Sequence, residues 1–364
     1  MLQNWLKPLS ATFLKHHAEP LPAGTLGKNL LLHSAQQVPD LKRVKAALIG
    51  VGEKEANDIR AALYRSAWPF PEGSVADLGN LRRTDAALLI PVLYELLSGK
   101  VLPIVLCHDD DLARAQFLAY QEAKGVVNLT VVDERMRFGH PAAAYTPVLK
   151  PRHPMLLHFS LVGYQIHQVP PEAALYLSQF NFDTLRLGRT RAAIEEVEPV
   201  LRDADLLCFH LAALKQSEAP GVLNASPSGF TTEEACQLCR YAGMSDKLSS
   251  FGVYGFHRDA DRDAQTAQVA AQMVWYFLEG VFARKGDYPA ATTGLTEYIV
   301  DFRKLNYQLT FWKSTRSGRW WMQVPVATQR QHERHRLVPC SYQDYQSACR
   351  EELPERLVQA LQRF

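Results

Sequence analysis

The sequence predicts an α/β protein: a three-layer αβα sandwich around a mainly parallel sheet, with a small β-rich extension at the C-terminus. Three observations carry this. Short apolar runs of strand length recur up to residue 209, segments with helical spacing separate them, and beyond residue 290 the texture changes to short aromatic stretches.

Taken in order, residues 1–43 are mixed and partly apolar with several prolines, and read as a packed leader segment. The strand-length runs follow at 45–51, 101–107, 126–132, 155–159 and 205–209. A run without polar alternation suits a strand covered on both faces, because side chains pointing up and down both meet a helix. Helices are expected over 55–66, 84–98, 111–123 and 192–202. Strands alternating with such helices build a parallel sheet with helices on both sides. Residues 231–243 read as a helix capped at Thr231 and ending at Gly243. Its C-x-x-C pair, Cys236 and Cys239, are i,i+3 neighbours on one face, and lacking two further ligands at suitable spacing they read as core rather than as a zinc site. A long helix is expected over 263–285, with Ala267, Ala270, Val274, Phe277, Leu278 and Val281 on its apolar side. Strands are then expected at 298–302, 307–313 and 319–325, the last two joined by a turn at 314–318. The domain reading is therefore a leader at 1–43, an αβα domain at 44–290, and an extension at 291–364 that is β-rich, then helical.

Composition narrows the function classes. The 364 residues are 47% hydrophobic, enough for a sizeable core. Forty basic against 38 acidic residues leave a formal charge of +2 with no long run of like charge, so nothing selects nucleic acid or an anionic membrane as partner. No window reaches the roughly 18 apolar residues of a spanning helix, and the start lacks a basic region leading into an apolar one. The expected setting is cytoplasmic, with the six cysteines reduced.

In an open parallel sheet, chemistry belongs at the carboxyl ends of the strands. Three of those ends carry polar clusters: Cys107-His-Asp-Asp-Asp-Leu112, Asp133-Glu-Arg-Met-Arg137 and Cys208-Phe-His-Leu-Ala-Ala-Leu-Lys215. In order and spacing they resemble the metal motifs of the ureohydrolase family (arginase, agmatinase, formimidoylglutamase): G-G-D-H-S, D-A-H-x-D and S-F-D-x-D-x-L-D-P. Residues 55–64 and 75–80 resemble the family's early IR…LY…DLG run, and Ser226-Pro-Ser-Gly229 with 261–267 its later P-x-G…D…T-A signature. The resemblance covers 44–290 and is nearest the formimidoylglutamase-like branch over 252–280.

The resemblance implies two manganese ions sharing a water that attacks a guanidinium or formimino carbon. Carried across residue by residue, the family's ligand positions fall on Asp110, Asp133, Arg135, Arg137, His210 and Ala212. Asp133 alone keeps the family's residue type, and the family's substrate-side Glu falls on Gly255. A guanidinium has no acceptor and stays protonated, so it cannot bind a cation; it can stand in for one by pairing with carboxylates. Arg137 and Arg135 are thus expected to pair with Asp110 and Asp133. Two readings follow. The first is a catalytically inactive ureohydrolase-like protein with a binding or assembly role and no cofactor. The second is a metal-dependent hydrolase of a C–N bond in a linear amidine such as formiminoglutamate, agmatine or arginine, holding manganese through a rearranged set drawn from His108, Asp109, Asp110, Asp133, Glu134 and His210.

Plainer roles stand beside these. The acidic triplet 109–111 suits a helix N-terminus, His210 suits a satisfied buried histidine, and His153, His158 and His167 read as structural residues of a Pro-rich loop. Family members commonly form homo-oligomers, so one is expected here. The extension concentrates Trp312, Trp320 and Trp321 beside Lys313, Arg316 and Arg319, which suits either a protein partner or cover for the chain's own core. Being adjacent, Trp320 and Trp321 must point to opposite faces of a strand.

Overall fold

A computed structural model describes residues 2–122, 126–138, 143–150, 153–302, 307–324 and 335–361. It contains a ten-stranded main sheet and a separate four-stranded antiparallel one. The main-sheet strands are β1 (Leu6–Lys7), β2 (Leu31–Leu32), β3 (Ala46–Val51), β4 (Val75–Leu81), β5 (Leu102–Cys107), β6 (Val127–Val132), β7 (Leu156–Tyr164), β8 (Asp183–Arg186), β9 (Leu206–His210) and β10 (Ser250–Tyr254). Their spatial order is β1-β4-β3-β5-β10-β9-β6-β7-β8, with β2 also on β4. Every pairing is parallel except β1 on β4.

Alternation along the strands sorts the core into two layers. Leu48, Ile104, Leu106, Phe209 and Phe251 face one side, against the helices Glu53–Leu63, Thr232–Gly243 and Gln265–Phe282. Ala47, Ile49, Val105 and Leu129 face the other, against Ala86–Ser98, Ala113–Glu122 and Pro171–Gln179. The expected αβα sandwich is the one found. Helix Thr232–Gly243 carries the capping box between Thr231 and Glu234, and Cys236 and Cys239 are free and buried in the core.

Several expectations need correcting. The segment expected as one helix over 192–202 is broken, with a 3-10 turn at Ile194–Val197 before the helix Glu198–Asp203; Pro199 opens a new first turn, where its missing N–H costs nothing. The strand expected at 155–159 runs on to Tyr164, so His158 is no loop residue: it is buried on β7 with Nε2 2.9 Å from Asp183. Strands β4, β8 and β10 did not stand out as apolar runs, because Asp77, Asn80, Asp183 and Ser250 interrupt them, all buried and hydrogen-bonded or paired. Within 1–43, β1 and β2 both add to the sheet at β4.

The second sheet runs β11 (Leu295–Phe302), β12 (Tyr307–Ser314), β13 (Trp320–Gln323) and β14 (Leu337–Cys340) in sequential order, followed by helices Tyr342–Cys349 and Glu355–Leu361. The strand at 319–325 is thus shorter than expected, and β14 is additional; its neighbours 325–334 lie outside the described residues. As the pleat requires, the two tryptophans diverge: Trp320 stacks on Tyr345 at 4.7 Å, and Trp321 lies under the Arg202 guanidinium at 4.4 Å. Both are buried within the chain, Trp312 only partly. Arg202 also donates to the carbonyls of Trp320 and Cys340 at 3.0 Å each, sewing the small sheet to the main body. Among the described residues no helix is long and apolar enough to cross a membrane.

Candidate functional site

The strand register brings the expected cluster together. Tyr254 of β10 lies level with Cys107 of β5 on one side and with His210 of β9 on the other. Val132 of β6 pairs with Phe209, which sets Asp133 beside His210. The residues just past β5, β6, β9 and β10 therefore share one end of the sheet centre.

Arg137 organises that end. Its Nε donates to Asp133 Oδ2 at 2.7 Å, and its Nη1 lies 3.0 Å from Asp110 Oδ2. Asp110 Oδ1 accepts from His210 Nδ1 at 2.7 Å, and the other ring nitrogen of His210 meets the Tyr145 hydroxyl at 2.8 Å. Both nitrogens of this fully buried imidazole are therefore spent. Burial alone would raise the Asp110 carboxyl, but the His210 hydrogen bond and the charges of His210 and Arg137 outweigh it and hold it at about 2. Burial works against the Arg137 charge too, and Asp133 with Asp110 more than reverses it. Asp110 and Arg137 each hold the other in its charged form.

Of the two arginines expected here, only Arg137 does this. Arg135 pairs instead with its neighbour Glu134, at a bend that follows β6. Burial raises the Glu134 carboxyl, and the Arg135 contact only partly offsets this. His108 turns away from the cluster to the Val51 carbonyl, 3.2 Å from Nδ1. Asp109 accepts from the Asp111 amide at 2.9 Å and so caps the turn Asp110–Leu112, as the helix-terminus reading of the triplet expects. Ala212 is buried and offers only a methyl group. Gly255 has φ +84°, and a Cβ there would come within 2.8 Å of Asp110 Oδ1. A glutamate at that position would meet both backbone strain and the carboxylate.

Tyr145 is the participant that sequence reasoning missed. It has no motif around it, and besides its hydroxyl contact to His210 its backbone amide donates to the Arg137 carbonyl at 3.1 Å. Tyr254, whose ring centroid lies 5.6 Å from that of His210, sends its hydroxyl to Gln116 at 2.6 Å and extends the polar network into the sheet.

A pair of manganese ions requires unprotonated donors facing an open space. Here the two carboxylates face a guanidinium, the imidazole has no free nitrogen and one position is alanine. In this arrangement the residues do not fit a two-manganese centre. Among the described residues no group of three or more His, Cys, Asp or Glu is arranged to hold a metal ion.

Comparison with known proteins agrees with the fold and leaves the chemistry to these residues. Residues 148–279 match the arginase family. A formimidoylglutamase of Geobacillus kaustophilus (strain HTA426) is 26% identical over 245 residues, 60% of this chain and 75% of that protein. The crystal structure of formimidoylglutamase from Bacillus subtilis subsp. subtilis str. 168 superposes with a TM-score of 0.60 at 19% identity, covering 67% of this chain and 89% of its own. A Trypanosoma cruzi formiminoglutamase structure with Mn2+ gives 0.58 at 17% identity, covering 68% and 97%. The fold is therefore arginase-like, residues 148–279 are similar to the arginase family, and the similarity in sequence runs to the formimidoylglutamases.

Proposed function

We propose that this protein is a ureohydrolase-fold pseudoenzyme with a binding or assembly role, in which the Arg137 guanidinium supplies the positive charge that metal supplies in Mn2+-bound relatives. The observation that carries this reading is the Arg137 fork, which reaches Asp133 at 2.7 Å and Asp110 at 3.0 Å at once. Two buried or half-buried carboxylates need a counter-charge; without one they would take up protons. A guanidinium that meets this need from within the chain removes the requirement for a cation.

A second reading, metal-dependent hydrolysis of a linear amidine, is supported by the names of the relatives and by Asp110, Asp133 and His210, groups able to ligate a metal that are linked through Arg137 and the His210–Asp110 hydrogen bond. It requires Arg137 to leave and His210 to give up a hydrogen bond. The deciding experiment is metal content by mass spectrometry after incubation with excess manganese, alongside release of urea or formamide from arginine, agmatine and formiminoglutamate. The pseudoenzyme reading expects protein without stoichiometric manganese and no product. Near-stoichiometric manganese with product release from any of the three would overturn it.

A further inference from the structure

The opposite end of the sheet holds a cavity of about 470 Å3, where the chain enters β3, β5 and β10. That volume lies within the range of small-molecule sites. Its apolar wall is made of Val101 and Leu102 at the start of β5, and of Val281 and Phe282 at the end of helix Gln265–Phe282. Its charge is lopsided. Lys45, Lys100 and Arg284 line it against a single carboxylate, Asp246, while the fourth cation, Lys247, is spent on Asp203 at 2.7 Å.

The geometry of each charge matters more than the count. Asp246 accepts from the backbone amides of Gly286 and Asp287 at 3.2 and 2.8 Å, so both its oxygens are occupied. Arg284 donates from Nε to the Gly243 carbonyl and from Nη2 to the Leu248 carbonyl, at 2.9 and 2.8 Å. These bonds hold the guanidinium in place and leave Nη1 for the cavity. Burial lowers the Arg284 pKa to about 10, and the Asp246 charge offsets only part of this, so it stays protonated at neutral pH. The Lys45 ammonium lies 5.4 Å from the centroid of the Phe282 ring, at the junction of the apolar wall and the solvent. One fixed guanidinium, the ammonium groups of two exposed lysines and an apolar wall are the complement of a molecule that is anionic at one end and apolar at the other.

We propose that this cavity binds a small organic anion with an apolar body, its carboxylate held by Arg284, Lys45 and Lys100 and its body lying on Val101, Val281 and Phe282. The site is separate from the Arg137 cluster and stands or falls independently of the function proposed there.

Calorimetric titration of the full chain with octanoate tests it, with octanol and inorganic phosphate as the two half-matched probes. Saturable one-to-one binding of octanoate is expected, with octanol and phosphate each at least tenfold weaker. Two variants localise it: Lys45→Glu with Lys100→Glu, which reverses the charge at two exposed positions, and Leu97→Trp, which fills the cavity from a half-buried one. Each should weaken octanoate binding at least tenfold while the melting temperature stays close to that of the parent. Absence of saturable octanoate binding overturns the proposal, as does equal binding of octanol or phosphate. Octanoate binding that survives in whichever variant keeps its melting temperature does the same.

Discussion

Two arginines, Arg60 fully buried and Arg137 partly so, do the same chemistry in two different settings. Arg60 is sealed within one βα unit: it grips Asp77 with Nε and Nη2 at 2.7 and 3.0 Å, and donates to Asn80 and to the Gly79 carbonyl at 2.7 and 2.6 Å. Tyr64 adds a hydrogen bond to the same carboxylate at 2.9 Å. Every partner lies within 20 residues of Arg60 in the chain, and Arg60 and Asp77 are fully buried. Arg137 instead joins the ends of β5 and β6, and through Asp110 the end of β9, with side chains 16% exposed at Arg137 and 26% at Asp110. The first cluster ties a helix to the strand that follows it; the second ties together the ends of separate strands. Identical charges thus form a local and complete network in one place, and in the other a network that spans strand ends and touches solvent.

The sharpest way to break this comparison is to remove each guanidinium. Arg60→Ala should cost roughly 3–5 kcal/mol, because it leaves Asp77 charged with no solvent to turn to. Urea denaturation measures it, and a loss below about 1 kcal/mol would contradict the architectural role. Arg137→Ala should cost less, about 2–3 kcal/mol, since the freed carboxylates can take up protons or solvent. If the guanidinium substitutes for a cation, added manganese should restore part of that loss by binding only the folded variant, and should leave the parent unchanged. A variant indifferent to manganese would make Arg137 an ordinary ion pair.

Acid titration separates the two clusters further. The folded Asp110 carboxyl ionises at about 2, below its ordinary value near 3.8. Its stabilisation is therefore present in full above about pH 4 and disappears as pH falls through about 2, a contribution of roughly 2 kcal/mol. Replacing Asp110 with Asn should flatten the stability curve across that window, as followed by fluorescence-monitored unfolding at stepped pH. An unchanged slope there would remove the charge coupling assigned to Asp110. The smallest effect is expected from Tyr145→Phe, which deletes the hydroxyl at His210 Nε2 and should cost about 1 kcal/mol. A neutral result would place Tyr145 beside the network without being part of it.

Particular residues explain what could be read in advance. β3 and β5 are uninterrupted apolar runs, and β9 is one up to His210, because both of their faces meet helices, and the long helix was legible from the spacing of its alanines and aromatics. β4 and β10 were harder to see because each carries buried polar residues whose partners are distant or unsignalled: Asp77 needs Arg60, and Ser250 needs Gln116. The same holds at the site. Asp110, Asp133, Arg137 and His210 were picked out by position after strands, whereas Tyr145 had no such marker. The expectation for Arg135 failed because its side chain faces Glu134, a matter of direction that spacing does not settle.

Local chemistry alone determined the layers of this protein, the capped helix at Thr231 and the aromatic extension, and with the family resemblance it put arginines where that family's metal site has donors. Those properties depend on period, residue type and protonation, which are written along the chain. Only the tertiary structure decided that Arg137 rather than Arg135 bridges the two carboxylates, that Trp320 and Trp321 are both consumed within the chain, and that cations gather around a cavity at the far end of the sheet. Each of these depends on the register of strands distant in sequence, because a one-residue shift would turn every side chain to the other face.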